Sequence, residues 1–143
     1  MGNEFIPHEQ ALALKKLGFD ELCFGYSLHD KKLLLSNPSL SGEFMPYFYK
    51  NSNCAEFLSN LFTSKNKKEA TITIPLYQQA FRWIREKYNL TGLIEIGIHE
   101  YSYKIFDIDF KPLTGTETMY YNGSYNEAEL ECLKKLIELC SQD

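Results

Sequence analysis

The sequence predicts a single α+β domain of two layers, an antiparallel sheet with helices packed on one face. Two segments, 75–89 and 124–140, carry apolar residues at helical spacing. Two segments between them, 93–98 and 101–110, alternate apolar and polar residues as strands do. The chain has 143 residues, which suits one hydrophobic core, so we expect one domain over residues 1–143.

The first half of the chain carries weaker signals. A helix is predicted from Pro7 to Leu17, with Gly18 as its C-terminal stop and Phe19 as an apolar contact after it. Residues 36–73 have little periodicity and form an irregular, insertion-like segment of the domain. Shorter elements are predicted as strands over 22–28, 33–35 and 71–74 and as a short helix capped by Asn53 with Glu56.

The central helix, residues 75–89, is predicted to be the hub of the core. Pro75 supplies the φ of a first helical turn, and Asn89 tolerates the left-handed conformation that ends a helix. Trp83, the only tryptophan, lies in the middle of the apolar face. That face is formed by Leu76, Ala80, Phe81, Trp83, Ile84 and Tyr88.

The two long strands are expected to place their isoleucines and phenylalanines inward, with a third strand at 119–121. The inward residues would be Ile94, Ile96 and Ile98 on the first strand and Phe106, Ile108 and Phe110 on the second. The outward residues would be Glu95, His99, Tyr101, Tyr103, Asp107 and Asp109.

The last helix opens at the capping box Ser124–Glu127, the clearest local signal in the chain. Its predicted buried residues are Ala128, Cys132, Leu133, Leu136, Ile137 and Cys140. Glu129 falls inside this apolar face, and a buried carboxylate needs a partner. We expect it to reach water, a tyrosine or an arginine.

Composition and motifs exclude several functions. The net charge of −4 argues against a nucleic-acid partner, and no apolar run reaches the ~20 residues of a membrane helix. The four cysteines form no C-x-x-C pair, which is typical of reduced thiols in a cytoplasmic protein. No spacing predicts catalytic residues, a metal site or a cofactor, so an enzyme stays open as a function that no motif supports and is less expected than a binding protein. Cys23, between Leu22 and Phe24, is interpreted as an inert thiol.

Three blocks resemble a family of small uncharacterised proteins from phages and mobile elements of Bacteroidetes-type bacteria. They are Glu9–Glu21 (EQALALKKLGFDE), Pro75–Trp83 (PLYQQAFRW) and Glu127–Glu138 (EAELECLKKLIE). Leu22 departs from the proline expected there, and residues 36–73 have no counterpart. The resemblance implies a phage or prophage origin, in the cytoplasm of the bacterial host, and supplies no catalytic residue.

Three other functions remain open at this stage. The first is a non-enzymatic binding or adaptor protein that acts on a host or phage protein. The second is a counter-defence protein that inhibits an immune factor or sequesters a small anionic nucleotide, for which Arg82, Arg85 and Lys104 are the candidate cations. The third is RNA binding, because residues 75–140 follow the order helix, three strands, helix, as in double-stranded RNA-binding domains. The glutamates at the start of the last helix argue against it.

The predicted contact surface lies on aromatic residues, because functional contacts concentrate on loops and aromatic rings supply contact area at low entropic cost. The alternative is that these rings close one edge of the core. The oligomeric state has no signal in the sequence. The candidate binding residues are Phe44, Tyr47, Tyr49, Tyr101, Tyr103, Arg82 and Arg85.

Overall fold

The structure is a computed structural model, and the residues it describes form two compact units, Met1–Leu76 and Tyr77–Asp143. The described residues are 2–28, 32–35, 48–54, 71–98, 100–113, 121–122 and 124–142. Within them the chain forms three α-helices and two three-stranded antiparallel sheets. The predicted α+β class is therefore confirmed, with two sheets where the sequence predicted one.

The first unit contains one helix and one sheet. Its elements are α1 (His8–Lys16), β1 (Gly25–Ser27), β2 (Leu33–Leu35) and β3 (Ile72–Ile74), preceded by a 3₁₀ turn over Gly2–Glu4. The strands lie in the order β2-β1-β3, and α1 packs against β3. The strand predicted over 22–28 is shorter than expected, because Cys23 pairs separately with Tyr49 through two backbone hydrogen bonds. The predicted strand over 33–35 is confirmed, and it pairs antiparallel with β1.

The end of α1 confirms the predicted glycine stop. Gly18 has a φ of 95°, in the left-handed region that glycine adopts without steric conflict. The Phe19 N–H donates to the Leu14 carbonyl at 2.9 Å, and the Gly18 N–H donates to the Lys15 carbonyl at 3.0 Å. These bonds close a Schellman motif and satisfy two of the last carbonyls of the helix. Phe19 and Leu14 are both buried, so the chain turns directly into the core.

The second unit has the order helix, three strands, helix. Its elements are α2 (Tyr77–Tyr88), β4 (Thr91–Ile96), β5 (Glu100–Phe106), β6 (Tyr121–Asn122) and α3 (Tyr125–Ser141). The strands lie in the order β4-β5-β6, and both helices contact β4 and each other. A Cβ atom on Gly92 would lie 2.7 Å from the Cys132 sulfur and 3.0 Å from the Phe81 ring. The helices therefore cover the sheet face to which Gly92 belongs.

The helix ends of this unit agree with the sequence. Asn89 has a φ of 58°, and its N–H donates to the Arg85 carbonyl at 3.0 Å. The Ser124 hydroxyl accepts the N–H of Glu127 at 3.3 Å, as predicted for the capping box. Trp83 is buried, and the predicted buried face of α3 is confirmed in full: Ala128, Cys132, Leu133, Leu136, Ile137 and Cys140.

The predicted orientation is wrong for β5, whereas on β4 Ile94 lies on the helix-covered face together with Gly92, as predicted. Ile94 pairs with Tyr103 and Gly92 with Ile105, and directly paired residues share one face of a sheet. Tyr103 and Ile105 are buried, so the helix-covered face of β5 carries Tyr103, which was predicted to point outward. The other residues predicted inward lie at or beyond the strand ends, and Ile96, Ile98, Ile108 and Phe110 are exposed.

The remaining expectations concern short segments. Of the predicted short helix the structure describes Asn53 and Cys54, and the Asn53 side-chain oxygen accepts the N–H of Lys50 at 2.9 Å. Glu56 and residues 119–120 lie outside the described residues, while Tyr121–Asn122 forms the predicted third strand of the second unit. All four cysteines are buried thiols outside any disulfide, as expected of core thiols. None of the described helices has the length and apolarity that crossing a membrane requires.

Candidate binding surface

Hydrogen bonds within the turn after β5 fix its conformation. The Phe110 N–H donates to the Asp107 carbonyl at 3.0 Å, and the Asp107 N–H donates to the Lys111 carbonyl at 3.0 Å. The Asp107 carboxylate also accepts the N–H groups of Asp109 at 2.9 Å and Lys111 at 3.0 Å. We call residues 107–111 the hairpin tip. Four hydrogen bonds fix its conformation before any partner arrives.

Phe110 occupies an unfavourable position in the hairpin tip. A turn of this kind ends with a residue in the left-handed region, where glycine or asparagine is usual. Phe110 has a φ of 57°, which costs a residue with a side chain about 1–2 kcal/mol. Its ring is nevertheless 71% exposed, and the neighbouring Ile108 is 66% exposed. Folding therefore gains little from either side chain.

The tyrosines predicted on β5 have different surroundings. Tyr103 is only 6% exposed and belongs to the core of the second unit. Tyr101 is half-buried, and its ring meets the ring of Tyr125 edge to face at 5.9 Å between centroids. Of Tyr101 and Tyr103, only Tyr101 has surface that a partner can reach.

The aromatic residues predicted in the insertion-like segment are described only in part. Phe44 and Tyr47 lie outside the described residues. Tyr49 is buried in the first unit, where its ring meets that of Tyr26 edge to face at 5.5 Å. Tyr49 therefore packs with the core, which was the alternative given for this segment. Its neighbour Phe48, absent from the candidate set, is exposed.

The three candidate cations do not converge. Arg82 and Arg85 are exposed on α2, which lies on the helix-covered face of the sheet. Lys104 alternates with the buried Tyr103 and Ile105, so it points to the opposite face. There its ammonium group pairs with the Glu95 carboxylate at 3.1 Å. The predicted cationic pocket for a nucleotide is not formed by these residues.

Glu129 lies among groups that respond to its charge. Burial raises the pKa of its carboxyl above the ordinary value. Burial and then the charge of Glu129 raise the pKa of the Tyr77 phenol to about 12 and that of the Cys132 thiol to about 12. The same causes raise the pKa of Tyr125. Glu129 therefore has the tyrosine neighbours expected of it. The raised pKa values of Glu129, Tyr77, Tyr125 and Cys132 all favour the neutral forms over the charged ones.

This cluster predicts a pH dependence of stability. A carboxyl whose pKa is higher in the folded state contributes stability at low pH, and that contribution is lost as pH rises through the folded pKa. Glu129→Gln, which is neutral at every pH, should therefore melt at a higher temperature than the wild type at pH 7. The difference should vanish below about pH 4, where glutamate is protonated in the unfolded chain as well.

Melting curves followed by circular dichroism over this pH range test the prediction. Glu127→Gln, on the exposed side of the same helical turn, controls for the added amide. A stabilisation of Glu129→Gln that persists unchanged at low pH would contradict the role of ionisation.

The described residues show no arrangement typical of catalysis or metal binding. Among them, no group of three or more histidine, cysteine, aspartate and glutamate side chains is placed to hold a metal ion. His29 and His99 lie outside the described residues. Cys23 is buried, and its thiol lies 3.5 Å from the Glu21 carbonyl as a donor. The interpretation of Cys23 as a packed thiol agrees with this environment.

Comparison with known proteins gives no match to a family model, a curated protein or a solved structure.

Proposed function

We propose that the protein is a small, non-enzymatic binding or adaptor protein that contacts a partner protein through its hairpin tip. The observation that carries the proposal is Phe110, a strained residue with an exposed ring on a rigid turn. Backbone strain is retained where function uses it, and an observed outlier is a sound starting point for a functional hypothesis.

The tip has the physical properties of a binding element. Its four hydrogen bonds fix the backbone, so little conformational entropy is lost when a partner binds. Phe110 and Ile108 offer adjoining apolar surface, and desolvating it is favourable by roughly 25 cal/mol for each Å² buried. Asp109 and Lys111 surround the apolar residues with exposed charges, as in a polar rim around an interface core. The matching site is an apolar pocket on another protein.

The resemblance to small phage proteins supports a bacterial cytoplasm as the setting and a host or phage protein as the partner. Inhibition of an immune factor is a special case of the same binding function. The nucleotide alternative is less favoured, because Lys104 lies on the face opposite Arg82 and Arg85 and pairs with Glu95.

The RNA alternative shares only the order of elements with the second unit. The first turns of α3 carry Asn126, Glu127 and Glu129, and carboxylates oppose a phosphate backbone. We therefore assign this architecture to the fold and not to a function.

Phe110→Gly tests the proposal because it should change stability and binding in opposite directions. Glycine removes the left-handed penalty of about 1–2 kcal/mol and adds about 0.5–1 kcal/mol of backbone entropy loss. We expect the variant to be more stable by roughly 0.5–1 kcal/mol and to lose partner binding. Urea denaturation measures the first effect. Affinity capture from host lysate, with quantification of proteins and nucleotides, measures the second.

Leu22→Ser is the matched control, because it removes another exposed apolar side chain far from the tip in sequence. The proposal requires a protein that wild type and Leu22→Ser retain and Phe110→Gly loses. Equal retention by all three baits excludes the tip as the contact site. Enrichment of a nucleotide without a protein supports sequestration instead.

A further inference from the structure

The outer edge of β4 has the features of a pairing surface. β4 lies at the end of the order β4-β5-β6, and among the described residues no strand pairs with its other edge. It is six residues long, whereas the other edge strands among the described residues, β2, β3 and β6, have three, three and two residues. A long unpaired edge is a template for another strand.

The groups that face this edge follow from the turn after β4. The Gly97 N–H donates to the Glu100 carbonyl at 2.7 Å, so the backbone groups of Gly97 point toward β5. Backbone groups alternate sides along a strand. The N–H and C=O groups of Gly92, Ile94 and Ile96 therefore point to the free edge.

The edge lacks the usual protection against pairing. β4 contains no proline, lysine or arginine, and its one charged residue, Glu95, forms an ion pair with Lys104 at 3.1 Å. Leu93 is exposed on one face, and Ile96 is 72% exposed on the other. Both apolar side chains lie where an added strand would cover them.

We propose that β4 pairs antiparallel with β4 of a second copy of this chain, with Ile94 opposite Ile94 of the partner subunit. The two-fold symmetry places the helix-covered sheet faces of the two copies on the same side. It also pairs Gly92 with Ile96 of the partner subunit, and Ile96 with Gly92 of the partner subunit. Each N–H and C=O that points to the free edge then has a partner, as in a hydrogen-bonded antiparallel ladder.

The side chains suit this register and no neighbouring one. Ile96 lies opposite a glycine, so its exposed side chain is covered without a clash across the pair. Glu95 lies opposite Leu93 of the partner subunit. Moving the centre of the pairing from Ile94 to Glu95 would place the two Glu95 carboxylates opposite each other, and like charges in that position are destabilising. Moving the centre to Leu93 instead would leave the N–H and C=O groups of Ile96 without a partner in the second β4.

A second copy fits the edge better than a foreign strand, because this chain itself supplies an alternating strand of equal length with glycine at the required position. The contact is isologous, so it closes at a dimer. It uses neither Phe110 nor Ile108, and its failure is therefore distinguishable from failure of the proposed binding function.

Ile96→Pro tests the pairing in the full chain. The Ile96 N–H points away from β5, so proline removes edge hydrogen bonds and leaves the β4–β5 ladder intact. Sedimentation equilibrium should show a dimer for the wild type, and a dimer Kd at least ~10-fold higher for Ile96→Pro. Ile98→Ser, which removes the exposed side chain next to the strand, should keep the wild-type Kd.

Amide hydrogen exchange of the wild type gives a second readout that does not depend on the variant folding. Exchange at Gly92, Ile94 and Ile96 should slow as protein concentration rises, while exchange at Gly97 should not change. A monomer at every concentration, a dimer with an unchanged Kd in a folded Ile96→Pro, or an open-ended assembly would overturn the proposal.

Discussion

Trp83→Ala is expected to lower the free energy of unfolding by about 3–5 kcal/mol, as for other large-to-small substitutions of buried aromatic residues. Trp83 is 8% exposed, and its ring meets Tyr88 edge to face at 5.8 Å between centroids. The Lys87 ammonium group lies 4.8 Å from the ring centroid, which adds a cation–π contact. Alanine removes these contacts and leaves a cavity beside Ala80 and Ile84, which are also buried on α2.

Urea denaturation followed by far-ultraviolet circular dichroism measures this effect without using tryptophan fluorescence. Trp83→Phe is the matched control, since it keeps an aromatic ring in the same place and should be much less destabilising. A loss below about 1 kcal/mol for Trp83→Ala, the range of surface substitutions, would show that this helix is not central to the core.

Gly25→Ala should destabilise the first unit by roughly 3 kcal/mol, the upper end of the range for overpacked sites. Gly25 lies on β1, the middle strand of its sheet. A Cβ atom there would lie 2.6 Å from the carbonyl oxygen of Ile74 and 2.7 Å from the Phe5 ring. The carbonyl belongs to the paired strand and cannot rotate away, so the β1–β3 pairing itself must shift.

Gly97→Ala is the control for this substitution, because the nearest atom to its added Cβ is 3.3 Å away. We expect a change of about 0.5 kcal/mol or less for the control, as at ordinary surface positions. Thermal melts of both variants decide the matter. Equal melting temperatures for Gly25→Ala and the wild type would mean that β1 and β3 approach less closely than the structure shows.

The sequence predicts the helices of this protein well, because their ends and faces depend on local chemistry. Gly18 and Asn89 adopt the left-handed conformations expected of them, and the Ser124 hydroxyl caps α3. The buried face of α3 follows from helical periodicity alone. These features require no knowledge of what the helices pack against.

The buried face of β5 could not be predicted in the same way. In residues 101–110 the tyrosines with Ile105 alternate at one parity, and Phe106 with Ile108 and Phe110 alternates at the other. Which set is buried depends on where the strand ends, and the carboxylate of Asp107 decides that by accepting amides two and four residues ahead. An aspartate that begins a turn was the available signal.

The same difficulty explains why the hairpin tip was missed as a candidate site. The alternation of residues 101–110 predicts Ile108 and Phe110 as core residues, and the candidate binding residues lie elsewhere: Phe44, Tyr47, Tyr49, Tyr101, Tyr103, Arg82 and Arg85. Tyr49 and Tyr103 are both buried. Tyr49 pairs with Cys23 in the first unit, and Tyr103 pairs with Ile94 on the helix-covered face of the second. Exposure of an aromatic residue depends on tertiary packing, which residue type alone does not specify.

The four buried thiols allow the opening of each unit of this protein to be measured separately. Cys23 and Cys54 belong to the first unit, and Cys132 and Cys140 belong to the second. A thiol reagent reaches these sulfurs only when the surrounding structure opens, so the labelling rate of each pair measures the opening frequency of its unit. Equal rates for the two pairs would identify one cooperative domain, as the sequence predicts, and unequal rates would identify two. The natural cysteines thus supply a measurement of domain cooperativity that needs no engineered probe.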